Sequence, residues 1–182
     1  MLKTKSYKHQ AVSGFTLVEL LVAVGIIGVL ASVSVVSVNS VRAKGRDAKR
    51  VSEVKQMQTA LEAYFSNSAS ASYPVLGTDA APATLGTGNQ IKLCNTALGF
   101  DTAANCDNAA NAPVFMARAP RDPSNGAQIG GASYEYTYKS RTAANADCPA
   151  APCPSYEIGF RLEGGTGGLA GGARTATPNG LQ

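Results

Sequence analysis

The chain has 182 residues, of which 15% are charged, with a formal net charge of +4, four cysteines, no tryptophan and a single histidine. Lys3, Lys5, Lys8 and that histidine, His9, all precede Gly14; past Gly14, 13 basic residues face 12 acidic ones. So balanced a chain gives no whole-protein argument for a nucleic-acid partner, and without a histidine beyond residue 9 it lacks the usual general base.

Residues 1–14 carry three lysines and no acid. They hold no apolar core between Lys8 and Gly14, no small-x-small cleavage site and no lipidation cysteine, so they are neither a standard secretory nor a lipoprotein signal. From Phe15 to Val38 the chain is apolar, and Glu19 is its only charge. At about 1.5 Å per residue this run spans roughly 36 Å, enough to cross a bilayer core with some tilt. A carboxylate inside such a segment costs roughly 3 kcal/mol on insertion scales, which predicts a partner for Glu19. An ordinary anchor whose glutamate snorkels to the headgroups is the plainer alternative.

The octapeptide Gly14-Phe15-Thr16-Leu17-Val18-Glu19-Leu20-Leu21, set between a basic leader and an apolar run, resembles the processing site of type IV pilins and type II secretion pseudopilins. The resemblance covers residues 1 to about 65. It implies that a prepilin peptidase cuts between Gly14 and Phe15, that Phe15 becomes N-methylated, and that Glu19 meets the N-terminal amine of a neighbouring subunit during assembly. The physics agrees: an ammonium at Phe15 would lie roughly one helical turn before Glu19. An opposite charge at about 4 Å offsets much of the cost of a carboxylate in an apolar medium. The positive-inside rule pulls the other way, because Arg42, Lys44, Arg46, Lys49 and Arg50 outnumber the three leader lysines. The cysteines and the resemblance both place the C-terminal part outside the cytoplasm.

Residues 39–67 continue as an amphipathic helix. Val51, Val54, Leu61 and Phe65, with Met57 and Tyr64 beside them, form the expected buried face, and Arg46, Lys49, Arg50, Glu53 and Lys55 fall mostly on the other side. Pairs among Arg46, Asp47 and Arg50 are expected to add a few tenths of a kcal/mol each. The polar tract 66–70 and then Tyr73-Pro74 end the helix, which would be roughly 80 Å long. The basic cluster 42–50 lacks interleaved aromatic residues, so a solvated helix face outweighs binding to nucleic acid or anionic lipid.

Residues 68–132 read as loop, with apolar patches at 91–93, 98–100 and 114–116, and Pro120-Arg121-Asp122-Pro123 as a tight turn. Strict alternation predicts strands at 133–139, with Tyr134, Tyr136 and Tyr138 on one face, and at 155–163, with Tyr156, Ile158, Phe160 and Leu162. Two strands alone are marginal, so a third strand or the loop should complete the sheet. The glycine-rich tail 164–182 has no period and is expected to be irregular.

Cys94, Cys106, Cys148 and Cys153 suggest two disulfides; proximity favours Cys94 with Cys106 and Cys148 with Cys153, among three connectivities. Zinc is disfavoured by their spacing. The scattered carboxylates match no calcium loop, and the tail lacks the acids with which major pseudopilins bind calcium. Val36 stands where many relatives carry a helix-breaking proline, leaving Gly25 and Gly28 as the soft points.

The expected fold is α+β and pilin-like. A long N-terminal helix, membrane-spanning over 15–38, packs its second half against a small antiparallel sheet at 133–163. The expected role is that of a structural subunit of a type IV pilus-like filament, not an enzyme, with no cofactor and no metal. Apolar packing by Leu17, Leu20, Leu21, Ile26 and Ile27 and the Glu19 charge pair would drive assembly. The resemblance implies further copies of itself, minor pilins, a prepilin peptidase, a membrane platform protein and an assembly ATPase as partners. It also implies a single-pass inner-membrane precursor, lipid-embedded, that later reaches the cell surface. A secretion pseudopilin, a DNA-uptake pilus subunit and an unprocessed bitopic membrane protein are the alternatives.

Overall fold

The computed structural model describes residues 14–96, 98–108, 113–124, 128–129 and 131–182; the leader lysines and the side chains at 33–37, Val36 among them, lie outside the described residues. The chain divides into two compact units, residues 1–40 and 41–182.

In the first unit Gly14, Phe15 and Thr16 lead into α1 (Leu17–Asn67). Valine and isoleucine are only moderate helix formers, but the run contains no proline, so nothing interrupts the hydrogen-bond ladder. Every described residue from Gly14 to Ser32 is exposed, with Phe15 at 81% and Leu17 at 79%. Among the described residues no helix is long and apolar enough to cross a membrane. The fully described apolar part, residues 17–32, spans about 24 Å, short of a bilayer core of about 30 Å.

In the second unit α1 buries Val54, Met57, Ala60, Leu61 and Tyr64, a stripe at helical spacing. Val51 and Phe65 flank this core half-buried instead of forming it. Arg50 is a correction to the sequence reading: it is fully buried, not on the solvent face, and Asp47 is buried beside it. The helix ends at Asn67, where the Ser68 amide still donates to Tyr64 O at 2.9 Å before the chain turns.

The rest of the unit is built of short strands: β1 (Ala83–Thr84), β2 (Lys92–Cys94), β3 (Phe100–Asp101), the helix α2 (Ala103–Asn108), β4 (Val114–Met116), β5 (Gln128–Ile129), β6 (Ala132–Ser133), β7 (Thr137–Arg141), β8 (Ser155–Thr166), β9 (Leu169–Thr177) and β10 (Gly180–Leu181). The main sheet is antiparallel with order β1-β7-β8-β9-β10. Tyr138 lies opposite Ile158, and Ile158 opposite Ala176. These residues, with Tyr156, Phe160 and Leu162, form one core with the buried stripe of α1.

Three expectations change. The tyrosine strand begins later, at Thr137, because Ala132–Ser133 pair with β5 instead; Tyr134 and Tyr136 are buried nonetheless. The patches at 91–93, 98–100 and 114–116 are not loop but a second sheet of order β3-β2-β4, which buries Leu93 and Phe100. The tail is not irregular: β8 runs past Glu163, and β9 folds back on it through Gly167-Gly168. Both glycines have positive φ, +60° and +85°, as the two-residue turn of a tight hairpin requires.

Cys94 pairs with Cys106, tying α2 to β2, and Cys148 pairs with Cys153 across the β7–β8 connection. The first closes a loop with a sequence separation of 12. In the chain-entropy model a loop of this size contributes about 3 kcal/mol. The double substitution Cys94→Ser/Cys106→Ser is therefore expected to lower unfolding stability by about that amount in denaturant titration. An unchanged midpoint would show that β2 and α2 are held by packing alone.

Candidate functional site

Two constellations stand out, one in each unit. In the first, Thr16 and Glu19 lock the start of α1. The Thr16 amide donates to Glu19 Oε2 at 3.0 Å and the Thr16 hydroxyl donates to the same oxygen at 2.8 Å. In return the Glu19 amide donates to Thr16 Oγ1 at 3.3 Å. This is a reciprocal capping box, in which threonine at the N-cap and glutamate three residues on satisfy each other's exposed amides. The cap fixes the glutamate side chain through one oxygen. Its other oxygen, Oε1, has no partner among the described residues and is open to a cation from outside. Sequence reasoning singled out Glu19 for its charge and missed Thr16, although the spacing Thr16-Leu17-Val18-Glu19 signals such a cap. Gly14 and Phe15 lie exposed just ahead of it.

In the second unit Arg50 is the hub. Its guanidinium donates to Asp122 from Nε at 2.7 Å and Nη2 at 3.0 Å, to Asp47 from Nη1 at 2.9 Å, and to Glu163 from Nη1 at 2.7 Å. Nη2 also reaches the Ser124 hydroxyl at 2.6 Å, and the face of the Tyr134 ring lies 4.6 Å away. Arg46 clasps Glu163 with two parallel hydrogen bonds of 2.7 and 2.5 Å. Asp47 accepts the backbone amides of Glu163, Gly164 and Gly165, each at 2.9 Å. One arginine thus joins α1, the Pro120–Pro123 turn and β8, and within this hub Asp47, Asp122 and Glu163 each pair with it. The turn read as a plain tight loop is an anchoring point through Asp122.

These contacts set the ionisation of the carboxyls. The Arg46 guanidinium, opposed by partial burial and helped by Arg50, pulls Glu163 down to about 2 from its ordinary 4.5. Burial pushes Asp47 up, but the three amides and Arg50 outweigh it and hold the carboxyl below its ordinary value. Both groups are lowered in the folded state, so their stabilisation is complete above the unfolded value and is lost as pH falls through the folded one. Thermal stability is expected to stay flat from neutrality to about pH 5 and to fall steadily between pH 4.5 and about pH 2. In Glu163→Gln the melting temperature is expected to be lower at pH 7 and less steep across that acid window. An equal slope in variant and wild type would remove Glu163 from the account.

A second ionic cluster holds the other end of the main sheet. Arg141 donates to Asp79 at 2.6 and 2.9 Å, to Asp147 at 3.0 Å and to Glu157 at 2.9 Å, with Lys139 beside Glu157 at 2.6 Å. Tyr136 donates to Glu53 at 2.6 Å and Tyr73 to Glu62 at 2.8 Å, tethering the tyrosines to α1. Among the described residues no group of histidine, cysteine or carboxylate side chains is arranged to hold a metal.

Residues 10–35 match the family model described as the prokaryotic N-terminal methylation motif. That motif is the hallmark of type IV pilin and pseudopilin prepilins, and it indicates a pilin-like prepilin. No curated protein and no solved structure matches the chain.

Proposed function

We propose that this chain, a pilin-like prepilin by its methylation motif, is a non-enzymatic structural subunit of a type IV pilus-like filament. In this reading the precursor sits in the bacterial inner membrane, a prepilin peptidase cuts it between Gly14 and Phe15, and Phe15 is N-methylated. A membrane platform protein and an assembly ATPase then drive it into a helical polymer.

The observation that carries the reading is the first stretch of α1. Leu17, Leu20, Leu21, Ile26 and Ile27 are all more than half exposed, and the apolar surface continues around the helix. Such a helix needs cover that the described residues do not supply, from lipid before assembly and from identical helices afterwards. Glu19 is the one charge on that surface, and its open Oε1 suits the ammonium that cleavage creates at Phe15 of a neighbour. In an apolar surrounding this pair forms only where helices meet in the right register, so it selects the axial position of each added subunit.

Intact mass separates the variants of this reading. Protein sheared from the cell surface is expected to begin at methylated Phe15 with all four thiols oxidised. The same processed mass found only in membranes would assign the chain to a secretion pseudopilus. A mass beginning at Met1 with free thiols would overturn the reading altogether.

A further inference from the structure

A cavity of the second unit is walled almost entirely by neutral polar groups. It measures about 200 Å3 and lies at the end of the main sheet opposite the Gly167-Gly168 hairpin, where β7 ends, β8 begins and β9 turns into β10. Thr142, Asn145, Ser155, Thr177, Asn179 and Gln182 line it, with Ala143 as the one apolar side chain. Among the described residues no charged side chain reaches its wall. The hollow of about 280 Å3 on the face of the same sheet away from the core is different, being walled by Glu135, Glu157, Arg161 and Arg174. Arg141 stands opposite Ser155 in the β7–β8 ladder, but its charge is met by Asp79, Asp147 and Glu157.

The wall is held in place by the fold. The Thr142 amide and hydroxyl donate to Ala146 O at 2.9 and 3.3 Å, the Ala146 amide donates to Thr142 Oγ1 at 3.1 Å, and the Asn145 amide donates to Thr142 O at 3.0 Å. The Arg141–Asp147 pair and the Cys148–Cys153 disulfide clamp the chain that follows. On the β9–β10 side Gln182 and Thr175 exchange main-chain hydrogen bonds of 2.8 and 3.1 Å, and the Asn179 amide donates to Thr177 Oγ1 at 3.2 Å. The carboxamides of Asn145, Asn179 and Gln182 and the Ser155 hydroxyl have no partner among the described residues. Asn145 adopts φ +62°, where glycine is the least strained choice. Asparagine tolerates that region and adds a carboxamide to the cavity wall.

This set of donors and acceptors selects a class of ligand. A carboxamide presents two donors and an acceptor, and a hydroxyl presents both kinds. A charged ligand would lose hydration without meeting a counter-charge. An apolar one would leave the carboxamides and hydroxyls unpaired. A sugar ring carries hydroxyls that both donate and accept at successive carbons, and its C–H groups suit the Ala143 methyl. The cavity is smaller than the pockets of about 300–1,000 Å3 that enclose drug-sized ligands, which limits the occupant to one ring.

We infer that this cavity binds one neutral hexose unit through Asn145, Ser155, Asn179 and Gln182. The site is complete within one folded head and does not rest on the filament reading. Its preformed wall avoids the ordering cost that a flexible loop would add on binding.

The test uses the processed chain in a polyoxyethylene detergent, which carries no sugar, with the methyl glycosides of glucose, mannose and galactose as probes. Saturation-transfer NMR is expected to show weak, saturable transfer from the protein to the ring protons of at least one glycoside. The double variant Asn145→Gly/Asn179→Ala removes two hydrogen-bonding groups, so its Kd for that glycoside is expected to rise at least about tenfold. Glycine keeps the backbone conformation at position 145, and melting temperatures should match wild type. Should the double variant melt lower, Ser155→Ala decides in its place, with an expected rise of about threefold. No transfer to any of the three glycosides, or a variant that folds and binds like wild type, would overturn the inference. Tighter binding of glucuronate would also overturn it and make this an anion site. Tighter binding of N-acetylglycinamide would overturn it in favour of a site for polypeptide main chain.

Discussion

Glu19→Gln is expected to be cut after Gly14, to remain in the membrane and to yield almost no filament. Glutamine at the third helical position can still complete the capping box with Thr16, so the start of α1 stays intact while the charge is lost. On the proposed charge pairing, what disappears is the counter-charge for the Phe15 ammonium of the neighbouring subunit. Leaving one member of a buried ion pair alone costs about 3–5 kcal/mol, and every added subunit would bear that cost. At 1.4 kcal/mol per factor of ten, the concentration needed for assembly rises at least about a hundredfold. Thr16→Ala makes the opposite cut: it removes the cap at a cost of about 1 kcal/mol, or roughly fivefold, and leaves the charge. Filament yield per unit of processed protein reads both. If Glu19→Gln assembled like wild type and Thr16→Ala failed, the glutamate would matter as a helix cap and the charge-pair mechanism would be wrong.

Arg50→Ala carries the largest expected effect on the folded head. It leaves Asp47, Asp122 and Glu163 packed together without their shared cation, and it removes the link between α1, the Pro120–Pro123 turn and β8. Breaking a buried pair from one side costs about 3–5 kcal/mol. For a unit of this size each kcal/mol lowers the melting temperature by about 2–4 °C, so a loss of roughly 6–20 °C is expected. Lys55→Ala, on the exposed face of the same helix, should stay within about 0.5 kcal/mol of wild type. Calorimetry or circular dichroism of the processed chain in detergent would measure both. Equal melting temperatures for the two variants would reduce the hub to a surface network. The double variant Arg50→Ala/Asp122→Asn should recover part of the loss, since it also removes one stranded charge.

The ion-pair hub also changes the meaning of the basic stretch from Arg42 to Arg50. By sequence its five cations form one group. In the fold Arg46 and Arg50 are bound to carboxylates of distant segments, and only Arg42, Lys44 and Lys49 keep exposed charge, with Lys49 3.6 Å from Glu53. A test of polyanion binding that neutralised all five would also destabilise the head through Arg46 and Arg50 and mislead.

What the amino-acid sequence determined alone is local. The apolar run with its single carboxylate follows from side-chain chemistry, as do the continuation of the helix to Asn67 and the alternation that buries Tyr156, Ile158, Phe160 and Leu162. A period of 3.6 or 2 residues needs no knowledge of what packs against it. The capping box of Thr16 and Glu19 was equally local and could have been read from spacing. The hairpin through Gly167-Gly168 was half legible: the glycine pair signals a turn, but Leu169–Thr177 has almost no large apolar side chains to mark it as a strand. It forms because β8 offers a long hydrogen-bonding edge, and a strand's backbone can pair where its side chains contribute little.

Only the tertiary structure decided the fate of the charges. Arg50 and Lys55 look alike in a helical sequence, yet one is fully buried and the other exposed. The difference arises from Asp122, 72 residues away, and Glu163, 113 residues away, which meet Arg50 once β8 and the Pro120–Pro123 turn are folded against α1. Coulomb energy depends on distance in space and on how far water is excluded, and neither is written in the order of the residues.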